Sequence, residues 1–279
     1  MSYFGKQIRM KRLLGTDGRL LSVALDQATA RGVHEELIPI HRKVSEIVSG
    51  GPDAITIHKG LVENAFAPHA NEVSLILKCS TFSPWQMNYE TWLTSVVEGV
   101  RLGADAVSIG CIVGGDDQPE QIRNLSKFAE EATLYGLPVI AHIYPRGNQI
   151  PEDEKMDWKH HAYAVRLGAE LGVDIVKTHY TGDPDSFSKV VAATPAKVVV
   201  AGGDSGGNLT GAFQMVRDVL DVGGAGITFG RFVWSNSHPK AVVSALRAIV
   251  HQNESVQFAV EVYEEVSERK IDSEAVLQQ

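Results

Sequence analysis

Two passages of the chain echo each other. RLGADAVSIG (101–110) and RLGAELGVDIVK (166–177) each run from a helix end through a glycine into an acidic residue and then an apolar, β-branched run. A shorter copy, GGPDAITI, stands at 50–57. An apolar stripe of helical period that closes at glycine and gives way to a continuous apolar run is the signature of a strand–helix unit whose strand is buried on both faces. Eight such runs occur, at Leu20–Asp26, Ala54–His58, Ser74–Ser80, Asp105–Gly110, Pro138–Tyr144, Val173–His179, Ala196–Ala201 and Ala225–Gly230. Between most of them lie helical stripes such as Trp92, Val96, Val97 and Val100, or Phe213, Val216, Val219 and Leu220. Units of about thirty residues, eight in a row, predict an α/β fold: a single-domain (β/α)8 TIM barrel, with a doubly wound open sheet as the alternative.

No proline-rich or low-complexity linker divides the chain. The barrel is expected over 1–254, opening with a short surface helix around Lys6–Arg12; an acidic helix and tail follow over 255–279, the helix reaching about Val266. Twenty-six basic against thirty-four acidic residues leave a net charge of −8, which argues against nucleic acid or an anionic membrane as partner and for a small molecule. The two cysteines, Cys79 and Cys111, read as buried small hydrophobes. With no apolar segment after the basic N-terminal stretch and no run near ~18 apolar residues, a cytoplasmic protein is expected.

In such barrels the C-terminal strand ends and the loops after them carry the chemistry. The residues ending the eight runs are Asp26, His58, Ser80, Gly110, Tyr144, Lys177, Gly202–Gly203 and Gly230–Arg231. Lys177 sits in GVDIVKTHY, a segment otherwise made for the interior. Two readings stand side by side: a lysine that snorkels or pairs with a buried acid such as Asp26, and an amine whose pKa desolvation lowers until it attacks a carbonyl and forms a Schiff base. Tyr144, one strand earlier, is a rim aromatic or a phenol that shuttles the proton of a substrate hydroxyl. Asp26 is a loop cap or a carboxylate that orients substrate across the barrel. The glycines of VVVAGGDSGG (198–207) and GGAGITFGRFVW (223–234), with Arg231, suit an anion held by backbone N–H groups and a guanidinium. Ser80 either contacts ligand hydroxyls or caps a loop, and Trp85, Trp92, Trp158 and Trp234 read as packing or subunit-contact residues.

With DIVKTHYTGD, YPRG, the aspartate closing strand one, HKG at 58–60, the paired glycines and GGAGITFGR, the chain resembles class I aldolases of the DeoC/FbaB/LacD type over about Val23–Trp234. It is most similar to archaeal-type fructose-bisphosphate aldolases, aminodideoxyheptulosonate synthases and autoinducer-2 thiolases. The resemblance implies Lys177 as Schiff-base former, Tyr144 as acid/base, Asp26 as supporting carboxylate, and Gly202, Gly203, Gly230 and Arg231 as phosphate cradle; Asp204, His58, Ser80 and His142 join them as candidates around the substrate. It implies no cofactor beyond the covalent lysine imine, and phosphorylated ketose or aldehyde substrates yielding dihydroxyacetone phosphate and an aldehyde. It also implies a homo-oligomer, since members are often decamers. Three departures bear on the substrate. Gln27-Ala28 follows Asp26 where relatives tend to read His-Gly, Asp204 follows the paired glycines, and His142 stands where apolar or aromatic residues are common.

Three other functions compete. His58, His142 and His179 all lie near strand ends and imidazole suits zinc, although no close-spaced pair of ligands occurs and hydrogen bonding of His142 and His179 within the pocket is the plainer reading. A barrel that binds sugar phosphate without turning it over is a second. A transaldol-type synthase or a thiolase-like acyl transfer is a third.

Overall fold

The eight runs pair edge to edge, and the last closes on the first. A computed structural model describes residues 4–202 and 208–276. Its strands are β1 (Leu20–Ala24), β2 (Ala54–His58), β3 (Ser74–Lys78), β4 (Ser80–Ser83), β5 (Gln86–Trp92), β6 (Ala106–Val113), β7 (Val139–Pro145), β8 (Ile175–Thr178), β9 (Lys197–Ala201) and β10 (Gly226–Phe229). The closed, parallel barrel runs β1-β10-β9-β8-β7-β6-β3-β2, so the (β/α)8 reading holds and the open sheet is excluded. Helices 96–101, 118–134, 158–170, 184–192, 209–221 and 239–252 pack around it.

The echoed passages turn out to be staples. Gly51, Gly103 and Gly172 adopt φ of +81°, +75° and +84°, the left-handed turn that lets the chain leave a helix and re-enter the barrel. Two residues later comes an aspartate. Asp53, Asp105 and Asp174 each donate their backbone N–H to a carbonyl on the neighbouring strand, of Leu21, Leu75 and Val139. Each carboxylate accepts the N–H of that same residue, at 2.7, 3.1 and 2.8 Å. The repeat therefore fixes where β2, β6 and β8 begin against β1, β3 and β7.

Alternation within the strands divides the core in two. Leu21, Val23, Ile55, Leu75, Val107, Ile143, Val176, Val200 and Phe229 face outward into the layer shared with the helices. Their neighbours Leu20, Ala54, Ile76, Ala106, Ile140, Ile175 and Val199 face inward and form an apolar floor. Two residues further along, the inward positions become Ser22, Thr56, Lys78, Ser108, His142, Lys177 and Ala201, joined by Thr228 two beyond Gly226, all buried. A polar layer thus lies inside the barrel just below its mouth.

Three segments differ from the sequence reading. The N-terminal helix, Phe4–Leu13, is no mere surface element: fully buried Leu13, with Met10 and Leu14, packs onto the apolar floor and plugs that end of the barrel. Between β3 and β6, residues read as loop and helix form the antiparallel hairpin β4–β5, with Ser80 opposite Trp92 and a turn between Ser83 and Gln86. Trp92 therefore ends a strand, and the helix starts only after Ser95, whose hydroxyl accepts the Glu98 N–H. The last helix spans Val256–Val276, well past Val266, and buries Ala259 in the main core. Among the described residues no helix is long and apolar enough to cross a membrane.

Asp174→Ala removes the acceptor of Val139 N–H and the 2.9 Å partner of Lys6. Urea unfolding should show a loss of about 1–3 kcal/mol, the cost of a partly buried donor left unpaired.

Candidate active site

A cavity of about 840 Å³, counting its open mouth, stands at the C-terminal end of the strands. The polar layer and the strand-end residues meet there. Lys177, 6% exposed on β8, lies level with His142 on β7 and Val199 on β9. Its amine is pushed down to about 8, first by burial and further by the charge of Lys78, while Asp26 and Glu90 pull the other way. The bland reading of an ion-paired lysine fails, because no carboxylate among the described residues bonds to Lys177 and the side chain lines the cavity.

Tyr144 follows His142 by two residues on the same inward face and lines the same cavity. Its ring stacks on His179 with centroids 4.6 Å apart. Burial raises the phenol well above its ordinary value, and the Arg146 guanidinium opposes this. His179 itself is pushed down to about 3, by burial first and then by His161, Lys177 and two arginines, so a neutral imidazole backs the phenol. His161, buried, bonds through Nδ1 to Thr178 at 2.8 Å, while His160 is half-buried near Glu154. Asp26 is half-buried at the mouth, at the head of the short helix Gln27–Arg31.

Lys78 occupies on β3 the place that Lys177 takes on β8. It differs by having a partner. Lys78 Nζ lies 3.5 Å from Glu90, with Ser80 between them: Nζ donates to Ser80 Oγ at 3.2 Å, and Ser80 Oγ donates to Glu90 at 2.7 Å while accepting the Gly110 N–H at 2.7 Å. Glu90 reaches this position from the β4–β5 hairpin and lies where a side chain on Gly110 would be; a Cβ there would meet the carboxyl carbon at 2.0 Å. Ser80, expected at the substrate, is instead fully buried in this relay and does not line the cavity. His58 likewise stands outside it, bonding Thr29 at 3.0 Å and the Lys78 carbonyl at 3.2 Å.

The anion-binding expectation centres on the β9 and β10 ends. Gly202, Gly230 and Arg231 line the cavity there; Gly203 and Asp204 lie outside the described residues. Gly230 admits no Cβ, which would fall 2.4 Å from the Gln27 amide and 3.0 Å from the Ala24 carbonyl. Gln27, the residue that replaces an expected histidine, accepts the Trp234 indole N–H at 3.2 Å and so fixes this wall. Two further guanidinium groups, which the sequence reading left unassigned, border the mouth. Arg31 and Arg146 stand 5.5 and 4.2 Å from the Phe82 ring, and among the described residues neither has a carboxylate partner.

The hydrogen bonds expected for His142 are absent at Nε2, which is buried without a partner. Among the described residues no group of three or more His, Cys, Asp or Glu side chains is arranged to hold a metal ion. Cys79 and Cys111 are buried, and burial pushes both thiols up to about 12.

Residues 20–236 match the model of the DeoC/LacD family of aldolases. The chain is 35% identical to 2-amino-3,7-dideoxy-D-threo-hept-6-ulosonate synthase of Halobacterium salinarum, over 93% of this chain and 97% of that protein. It is 32% identical to 2-amino-4,5-dihydroxy-6-oxo-7-(phosphonooxy)heptanoate synthase of Streptomyces griseus, over 90% and 92%. Among solved structures, an archaeal fructose 1,6-bisphosphate aldolase superposes with a TM-score of 0.81 at 26% identity, covering 88% of this chain and 99% of that one. A Schiff-base-forming fructose-1,6-bisphosphate aldolase does so with a TM-score of 0.81 at 25% identity, over 88% and 100%.

Glu90→Ala should cost about 3–5 kcal/mol in denaturant unfolding, because it strands the Lys78 ammonium in the barrel interior. Adding Lys78→Met should recover a large part of that loss, and the pair of measurements checks that the two charges compensate each other.

Proposed function

Because the chain belongs to the DeoC/LacD family of aldolases, as its family match and its 35% identical relative show, we propose that Lys177 is the Schiff-base lysine and that the substrate is an anionic, phosphorylated ketose or the ketone and aldehyde that form one. The observation that carries the assignment is the buried amine at about 8 inside the cavity, next to a buried phenol. At pH 7.5 such an amine is neutral in roughly a quarter of molecules, against about one in a thousand for a lysine in water.

Lys177 Nζ adds to the ketone carbon, and loss of water from the carbinolamine leaves an iminium. In cleavage, Tyr144 takes the proton of the hydroxyl beyond the scissile bond, the bond's electrons enter the iminium as an enamine, and an aldehyde departs. Protonation of the enamine carbon and hydrolysis then release the ketone, dihydroxyacetone phosphate in the simplest case. Bond formation runs the same steps in reverse. Asp26, facing Lys177 across the mouth, favours the charged nitrogen of the iminium. Gly202, Gly230 and Arg231 hold the anion of the ketone half.

In the bond-forming, synthase direction the aldehyde oxygen becomes a hydroxyl, and the Tyr144 phenol, which burial keeps protonated, supplies that proton. The two relatives named as synthases agree with that direction. The Arg31–Phe82–Arg146 group brings two further guanidinium groups to the cavity that Arg231 lines, which supports an anionic substrate.

Borohydride reduction with dihydroxyacetone phosphate should add covalent mass at Lys177, and Lys177→Ala should lose both adduct and turnover; full activity without an adduct would overturn the assignment. The trapping rate should climb as pH rises through about 8, where the ammonium loses its proton, and fall about tenfold per unit well below it. Asp26→Asn removes a charge that holds the ammonium, so its midpoint should move to lower pH. Tyr144→Phe should keep the adduct yet lose roughly 10²–10⁴ in carbon–carbon turnover, read by coupled assay.

A further inference from the structure

We propose that His142 determines which ketones are accepted, by hydrogen-bonding a hydroxyl on the carbon next to the imine, the carbon that becomes nucleophilic. The inference rests on Lys177 carrying that imine. His142 is 5% exposed, register-paired with Lys177 and part of the cavity lining. Its Nε2 is buried with no partner. Lys78 and Ser80 are spent on Glu90 and His161 on Thr178, which leaves the Nε2 of His142 and the Thr228 hydroxyl as unpartnered buried groups of the cavity lining. A buried imidazole nitrogen left unmade is costly, so its capacity is held for whatever fills the cavity.

Chemistry and position narrow that occupant. Burial, together with the charges of Lys78 and Lys177, keeps the ring neutral, with one donor and one acceptor. An alcohol suits Nε2 in either tautomer, accepting from it or donating to it, whereas an anion suits only a protonated Nε2. With the phosphate at the β10 end and the imine on β8, the chain of the substrate proceeds toward β7, because β8 lies between β9 and β7 in the barrel. There it meets His142 and, two residues further along the same face, Tyr144. The carbon beside the imine thus faces His142, and the oxygen beyond it faces Tyr144.

Dihydroxyacetone phosphate and hydroxyacetone phosphate share the ketone and the phosphate and differ only in this hydroxyl. A site built to bind a hydroxyl rejects the analogue lacking it by several orders of magnitude, so the wild-type protein should trap dihydroxyacetone phosphate at least roughly 10²-fold faster. His142→Leu should bring that ratio below about tenfold, chiefly by losing the hydroxylated ketone, while His142→Gln, which keeps a donor and an acceptor, retains part of it. Calorimetric affinities of both ketones in a Lys177→Met background, with His, Gln or Leu at 142, read the same ratio without the covalent step. A ratio that is unchanged by residue 142, near one in the wild type, or unmeasurable because neither ketone binds overturns the proposal. Absence of any borohydride adduct overturns instead the role of Lys177, and the calorimetric ratio then decides that of His142.

Discussion

Taking the Lys177 ammonium out of water pushes its amine down to about 8, and the rest of the mouth is arranged so that no neighbour cancels this. A carboxylate in direct contact would restore the charged form, and one nearby at longer range helps an iminium once it exists. Asp26 is at that longer range. The interior carries a second lysine, which would double the desolvation problem if it too were left bare. Its charge is compensated by Glu90, arriving from a hairpin outside the barrel, and Gly110 is the residue whose missing side chain makes the room. Two chemically identical amines at matching positions thereby end up in different settings, one in an ion pair and the other with no carboxylate bonded to it among the described residues. The difference comes from a single acid on a neighbouring hairpin.

Much of this was legible beforehand. The echoed glycine–aspartate passages and the eight apolar runs gave the barrel, because helix-closing glycines and doubly buried strands leave strong local patterns. The ends of those runs named Lys177, Tyr144, Asp26, Gly230 and Arg231, and all five line the cavity. Lys78 was missed, although its signal was present: it ends an apolar run as Lys177 does, in the same inward phase as Ile76. Glu90 left no local sign. Its importance depends on the hairpin folding back over β6, a long-range event that the polar segment around Pro84 and Trp85 does not announce. Ser80 and His58 were placed at the substrate by proximity to a strand end, yet the pleat and the neighbouring hairpin turn both toward protein partners.

Departures from the related pattern also acquire physical content. Gln27 does not leave a gap where a histidine was expected; its amide braces the Trp234 indole and closes over Gly230. That residue shapes the anion wall through packing. The Arg31–Phe82–Arg146 group joins a helix after β1, the hairpin after β3 and the loop after β7, and it concentrates positive charge at the mouth of a protein with a net charge of −8. Such local concentration steers anionic ligands inward even when the whole molecule repels them.

The aspartate staples at positions 53, 105 and 174 hold strand starts, at the pole of the barrel away from the cavity. The staples and the cavity therefore occupy opposite poles of one axis, with the Lys78–Glu90 pair as the point where cohesion reaches the mouth. Mouth loops can gain a hairpin, exchange a histidine for glutamine or acquire an extra arginine without loosening the framework. The architecture leaves substrate choice open to drift while its scaffold stays under constraint.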